Sequence, residues 1–283
     1  MLILEIEVKE MQRNTIGFIG AGNMAGALIK GLLESGTYKP HSVFISDKRK
    51  EALENLAGSY GIKLCQSNTE LLYKCSTVVL AVKPQNIKEV MLEIREHLSS
   101  GHFLISIAAG IPLKMIGAFT GGSVALARVM PNTPALVQRG ISAIAFGPDV
   151  SEDLVRLAES IFAAVGKTLV VPESMMNAVT AVSGSGPGFI FYLMECMIKA
   201  GVEVGLGEDV SRELVIETFL GSAHLARNSD KTVSQLRQMV TSPGGTTAAG
   251  LLVMEEMGLK KTLTDAIKTA TMRARELGDA STS

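Results

Sequence analysis

The chain has 283 residues, 47% of them hydrophobic and 19% charged, with a formal net charge of −1. That supplies enough apolar residues for two packed domains, and the near-neutral charge argues against a nucleic acid or an anionic membrane as partner. With 28 glycines, no tryptophan and only 5% aromatic residues, the composition suits an α/β or helical protein better than a β-sandwich.

Residues 1–12 mix acidic and apolar side chains, unlike a secretory signal; they read as an added strand, a tail or a start assigned too early. Thr15–Ile19 is then a short apolar run, predicted as a strand. Gly20-Ala21-Gly22-Asn23-Met24-Ala25 follows it and leads into a helical pattern through Leu28, Leu32 and Leu33. Strand, glycine turn and helix in that order are what a dinucleotide pyrophosphate requires. The first glycine turns the chain, the second admits the phosphates, and a small third residue, Ala25, lets helix and sheet pack closely. A second strand over 42–46 ends in Asp47, at the spacing where a carboxylate accepts hydrogen bonds from a ribose. Lys48, Arg49 and Lys50 follow it and suit a 2′-phosphate instead, so both nicotinamide dinucleotides stay open.

Strands are predicted over 77–82, 102–107 and 123–129, with helices from Pro84 to about His97 and after Pro112. This alternation predicts a doubly wound parallel sheet of the Rossmann type, with its ligand at the carboxyl ends of the strands. Those ends are Gly20, Asp47, Ala81-Val82-Lys83-Pro84 and Ala108-Ala109-Gly110. Lys83 reads equally as a cofactor contact or as a solvated lysine.

After a last strand over 167–171 the β pattern stops. Apolar residues recur at helical spacing from Phe189 to Val202, from Leu214 to Leu225 and from Leu263 to Leu277. The expected division is a dinucleotide-binding domain over 12–172 and an all-helical domain over 173–283. Methionine, alanine and glycine are frequent in these helices, which suits a close-packed core and a helical dimer interface. Thr241-Ser242-Pro243-Gly244-Gly245-Thr246-Thr247 interrupts the helical pattern, which resumes at Leu251. The segment serves either as a plain helix corner or as a site for a small anion, because a new helix start presents open N–H groups beside two hydroxyls.

Cys65, Cys75 and Cys196 are scattered and unpaired in pattern, which indicates neither a disulfide framework nor a metal site and suits a reducing cytoplasm. None of the four histidines falls in a candidate motif.

Six segments occur in an order and spacing that resemble pyrroline-5-carboxylate reductase: Gly20–Ala25, Ala81–Pro84, Ser106–Gly110, Arg128–Pro134, Ala181–Pro187 and Leu236–Glu255. The resemblance runs from about Thr15 to the C-terminus. It implies reduction of 1-pyrroline-5-carboxylate to L-proline by NADP(H), with NAD(H) as the alternative, in a cytoplasmic homodimer that assembles further into a decamer. It also implies a cofactor site of Gly20, Ala21, Gly22, Asn23, Met24 and Ala25 at the pyrophosphate. Asn68 would lie near the adenosine ribose, where the spacing already places Asp47 and Lys48, and Ala81, Val82, Lys83, Pro84, Ala108 and Ala109 near the nicotinamide half. Substrate contacts would come from Glu173, from Ser183, Gly184 and Ser185, and from Gly244, Gly245, Thr246 and Thr247 of the partner subunit.

Two positions depart from the family pattern. Asp47 stands where many members carry Ser, Thr or Asn, and Gly188-Phe189 replaces Ala-Tyr. Related hydroxyacid dehydrogenases place a lysine four residues after a Gly-Ser-Gly helix start, but here no lysine follows until Lys199. A cyclic imine needs no such base, since its own nitrogen takes the proton. The catalytic candidates are therefore Thr247, hydrogen-bonded to the ring nitrogen, and Glu173, facing its positive charge. A hydroxyacid or other imine reductase and a non-catalytic nucleotide-binding sensor are the competing readings.

Overall fold

The structure, a computed structural model, describes residues 15–282; the expectation about residues 1–12 lies outside them. Among these, two compact units emerge: residues 15–185 with 270–282, and residues 186–269.

The first unit is built on β1 (Ile16–Ile19), α1 (Asn23–Glu34), β2 (Val43–Ser46), α2 (Lys50–Tyr60), β3 (Lys63–Leu64), α3 (Asn68–Lys74) and β4 (Thr77–Leu80). It continues with α4 (Ile87–Ile94), β5 (Phe103–Ser106), α5 (Leu113–Thr120), β6 (Ala125–Met130), β7 (Gly140–Phe146), α6 (Glu152–Ala163) and β8 (Gly166–Val170). The eight strands form one sheet in the order β3-β2-β1-β4-β5-β6-β7-β8. Every pairing is parallel except β6 with β7. β7 and its antiparallel pairing are additions to the sheet expected from the sequence. The chain turns back there through a 3-10 turn over Thr133–Val137, closed by Gln138 at φ 51°.

The strands are apolar on both faces, as a sheet covered on both sides demands. Phe18, Ile45, Val79 and Ile105 pack with Leu28, Ile29 and Phe162 on one face. Ile19, Val78, Leu80 and Leu104 pack with Leu71, Ile87 and Met91 on the other. Because β2 and β4 flank β1, the strand order reverses at β1. That reversal opens a crevice at the carboxyl ends of β1 and β4, where α/β sheets bind their ligands. Cys65 and Cys75 are buried within this unit, and burial pushes their thiols up to about 11 and about 12.

After β8 come a short helix α7 (Met176–Val179) and a π-helical turn over Thr180–Gly184. The second unit contains α8 (Gly186–Glu203), α9 (Glu208–Asn228), α10 (Val233–Met239) and α11 (Thr246–Glu256); α12 (Leu259–Thr282) starts in it and ends in the first unit. α8 and α9 pack together, and Ser211 Oγ of α9 donates to the Ile198 carbonyl of α8 at 2.8 Å. Yet α8 buries no residue, and Phe191, Tyr192, Leu214, Leu220 and Leu225 lie 53–66% exposed. No helix among the described residues is long and apolar enough to cross a membrane.

Candidate active site

The glycine turn is fixed by backbone hydrogen bonds from both neighbours of β1. Gly20 N–H donates to Ser46 O at 2.8 Å, and Ala81 N–H donates to Ile19 O at 2.8 Å. Gly20 has φ +109°, and a Cβ there would stand 2.7 Å from the Ala81 carbonyl, so the position requires glycine. Gly22 has nothing within 4 Å of where its Cβ would be, and it caps α1 without any side-chain hydrogen bond. The first amides of α1 are thus left to an anion, beside a backbone with no side chain in the way. This arrangement fits the pyrophosphate of a dinucleotide. Ala25 is buried under the turn, as close helix–sheet packing requires.

At the end of β2, Asp47 Oδ2 accepts the Ala21 N–H at 2.6 Å, and Arg49 grips both carboxylate oxygens. Burial alone would raise the Asp47 carboxyl, but the Arg49 side chain and the N–H groups of Ala21 and Arg49 outweigh it and bring it down to about 2. Lys48 is paired with Glu89 at 2.5 Å, with both side chains exposed. Asn68 accepts from Ser46 Oγ at 2.6 Å and donates to Glu93 at 2.8 Å, which places it beside the end of β2. After β4, Ala81, Val82 and Pro84 are half-buried while Lys83 is exposed. Ala108 is buried after β5, and Ala109 is half-buried.

Glu173, at the turn before α7, is not a free carboxylate. Its Oε1 accepts the Leu113 N–H that opens α5, at 2.5 Å, and stands 3.5 Å from Arg128 Nη1. Arg128 is buried in β6 and also donates to Asn177 at 3.3 Å. Burial lowers the Arg128 guanidinium, and Glu173 partly restores it. Glu173, expected to face the positive charge of the substrate, thus has a buried arginine as its neighbour within the protomer.

Ser183 lies in the π-helical turn, in which Ser185 N–H reaches back to Thr180 O at 2.8 Å. Asn132 Oδ1 accepts the Ile141 N–H at 3.0 Å, which directs its Nδ2 to Ser183 Oγ at 3.3 Å. Gly184 and Ser185 complete this turn and are half-buried. Arg128, Asn132 and Asn177 are the residues that sequence reasoning did not assign. Two of them stood inside the Arg128–Pro134 motif, but nothing local reveals their partners.

In the second unit, Gly244 adopts φ +70° and Gly245 caps α11 with no side-chain hydrogen bond. Thr246 and Thr247 are exposed at that helix start. Among the described residues no cluster of three His, Cys, Asp or Glu side chains suits a metal ion.

A mostly parallel sheet whose strand order reverses, entered through a strand, glycine turn and helix, defines a dinucleotide-binding protein. Residues 15–110 match the model for F420-dependent NADP oxidoreductases, and residues 173–277 match that for pyrroline-5-carboxylate reductase dimerisation. The chain is 37% identical to the pyrroline-5-carboxylate reductase of Methanosarcina acetivorans, over 95% of this chain and 99% of that protein. The solved reductase from Coxiella burnetii superposes with a TM-score of 0.87 at 36% identity, covering 94% of this chain and 98% of that one. The Plasmodium falciparum pyrroline carboxylate reductase, solved with NADP bound, gives 0.85 at 31% identity, covering 95% and 99%. The chain belongs to the pyrroline-5-carboxylate reductase family. Its reaction is the NAD(P)H-dependent reduction of 1-pyrroline-5-carboxylate to L-proline, the last step of proline biosynthesis. The protein oligomerises through its helical region.

Proposed function

We propose that the nucleotide lies over Gly20–Ala25, with Asp47 and Asn68 at the adenosine ribose and Ala81–Pro84 and Ala108–Ala109 at the nicotinamide. Functionally the chain divides at 172/173, with residues 12–172 holding the cofactor and 173–283 supplying substrate contacts and the dimer. The substrate meets Ser183, Gly184 and Ser185 of one protomer and the Gly244–Thr247 corner of the partner subunit. The observation that carries this reading is the α11 start: an uncapped helix N-terminus after a left-handed glycine, with two exposed threonines, suits a carboxylate.

The bound cofactor supplies a hydride. Everything else is positioning. The imine nitrogen is protonated, hydride adds to the adjacent carbon, and the C=N π pair moves onto nitrogen to give the secondary amine. Thr247 hydrogen-bonds that nitrogen. Glu173, its charge offset by Arg128, ties the start of α5 in place behind Ala108–Ala109. The protomers assemble further into a decamer in the cytoplasm.

Subunit complementation tests the shared site. Ser183→Ala and Thr247→Ala homodimers should each be impaired; after dissociation and mixing, about a quarter of the sites regain both side chains if they come from different protomers. No recovery on mixing would mean that both residues act within one protomer. A native mass near ten 30.0 kDa protomers by analytical ultracentrifugation would support the decamer.

A further inference from the structure

We propose that Asp47, held by Ala21 and Arg49, biases the nucleotide site toward the dinucleotide with a free 2′-hydroxyl over its 2′-phosphorylated form. The inference rests on the dinucleotide reading of the glycine turn and is independent of the substrate. Both forms are accommodated; the pair sets their ratio.

The carboxylate is part of the turn itself, since the Ala21 N–H binds its Oδ2 at 2.6 Å. It is also the fixed member of the pair: the Asp47 side chain is 10% exposed and that of Arg49 64%. Arg49 binds it through its backbone N–H at 2.8 Å, Nε at 3.1 Å and Nη2 at 2.9 Å. A ribose hydroxyl donates to Asp47 in place of one Arg49 N–H and leaves the rest of the ion pair closed. A 2′-phosphate must draw Arg49 away and then sit beside the ionised carboxylate it has uncovered.

The other cations offer little relief. Lys48 is paired with Glu89, and the neighbouring Glu93 holds Asn68, so two further carboxylates stand around the end of β2. Lys50 remains, exposed in the first turn of α2, and a single solvated ammonium compensates weakly for a buried like-charge contact. Arg49 is the mobile arm through which the phosphorylated form is tolerated.

The test is isothermal titration calorimetry of the full-length protein with ADP-ribose and 2′-phospho-ADP-ribose, which carry the discriminating group without the reactive ring. Wild type should bind ADP-ribose at least about tenfold more tightly. Asp47→Ser should erase that preference, chiefly by tightening the phosphorylated ligand. Asp47→Asn keeps an acceptor for Ala21 and should act in the same direction, separating charge from fold. Arg49→Gln should widen the preference. Equal or tighter binding of the phosphorylated ligand by wild type, or an unchanged ratio in both Asp47 variants, would overturn the proposal. Failure of the folded protein to bind either ligand would overturn the nucleotide reading beneath it.

Discussion

Arg128 and Glu173 form an unequal ion pair: 3.5 Å apart, with the arginine side chain 5% exposed and the glutamate 33%. Removing the glutamate strands a buried cation, whereas removing the arginine leaves a carboxylate that water reaches. Glu173→Ala should therefore destabilise by about 2–3 kcal/mol, tempered by the remaining Asn177 contact, and Arg128→Met by about 1 kcal/mol or less. Denaturant midpoints of the two variants and their double mutant measure this. Equal losses would mean that the pair contributes through packing alone.

The two glycines of the turn separate folding from binding. Gly20→Ala places a Cβ at φ +109° and 2.7 Å from the Ala81 carbonyl, which should cost at least about 2 kcal/mol. Gly22→Ala meets nothing within 4 Å. Its stability should stay within about 0.5 kcal/mol of wild type while dinucleotide affinity falls at least about tenfold. Thermal melts beside calorimetric titration decide it; unchanged affinity in Gly22→Ala would remove the phosphates from this turn.

Asp47 gives a pH signature. Its carboxyl is brought from 3.8 down to about 2 in the folded chain, so the stabilisation is fully present above about pH 4 and is lost as pH falls through about 2. Asp47→Asn should be less stable than wild type by about 1–2 kcal/mol at pH 7, a gap that closes below pH 4. A gap that persists to pH 2 would show that charge is not its origin.

How far the sequence reads depends on range. The strand, glycine turn, helix and acidic β2 end are local, and each lies within a residue or two of its expected place. β7 was hidden because the chain reverses through residues 131–137, where Pro131, Asn132 and Pro134 read as a motif and not as the turn of an antiparallel pair. The corner before Thr246 was legible since Pro243 and Gly244 must break a helix. The Glu173–Arg128 and Ser183–Asn132 contacts span 45 and 51 residues and leave no periodic trace. In the sequence Glu173 is therefore only a carboxylate after Pro172, although its partner lies on a distant strand.

Asn132 should control how Ser183 presents its proton. With Oδ1 held by Ile141 N–H, Nδ2 donates to Ser183 Oγ and leaves the hydroxyl hydrogen available for the proposed substrate contact. Asn132→Asp reverses that hydrogen bond and adds negative charge. KM for 1-pyrroline-5-carboxylate should rise about tenfold or more, with little change in nucleotide affinity. A change confined to nucleotide binding would place Asn132 outside the substrate region.

Thr247 distinguishes orientation from chemistry. Its exposed hydroxyl stands in the first turn of α11, after Gly245, and no side chain caps the helix there. If it only orients the ring, Thr247→Ala raises KM and leaves kcat near wild type. The proposed hydrogen bond to the ring nitrogen strengthens as that nitrogen gains electron density during hydride transfer. Thr247→Ala should then lower kcat and kcat/KM together, by about ten- to a hundredfold, and Thr247→Ser should restore most of the loss. Because the serine variant keeps the hydroxyl and discards only a methyl group, failure of rescue would assign the threonine to packing instead.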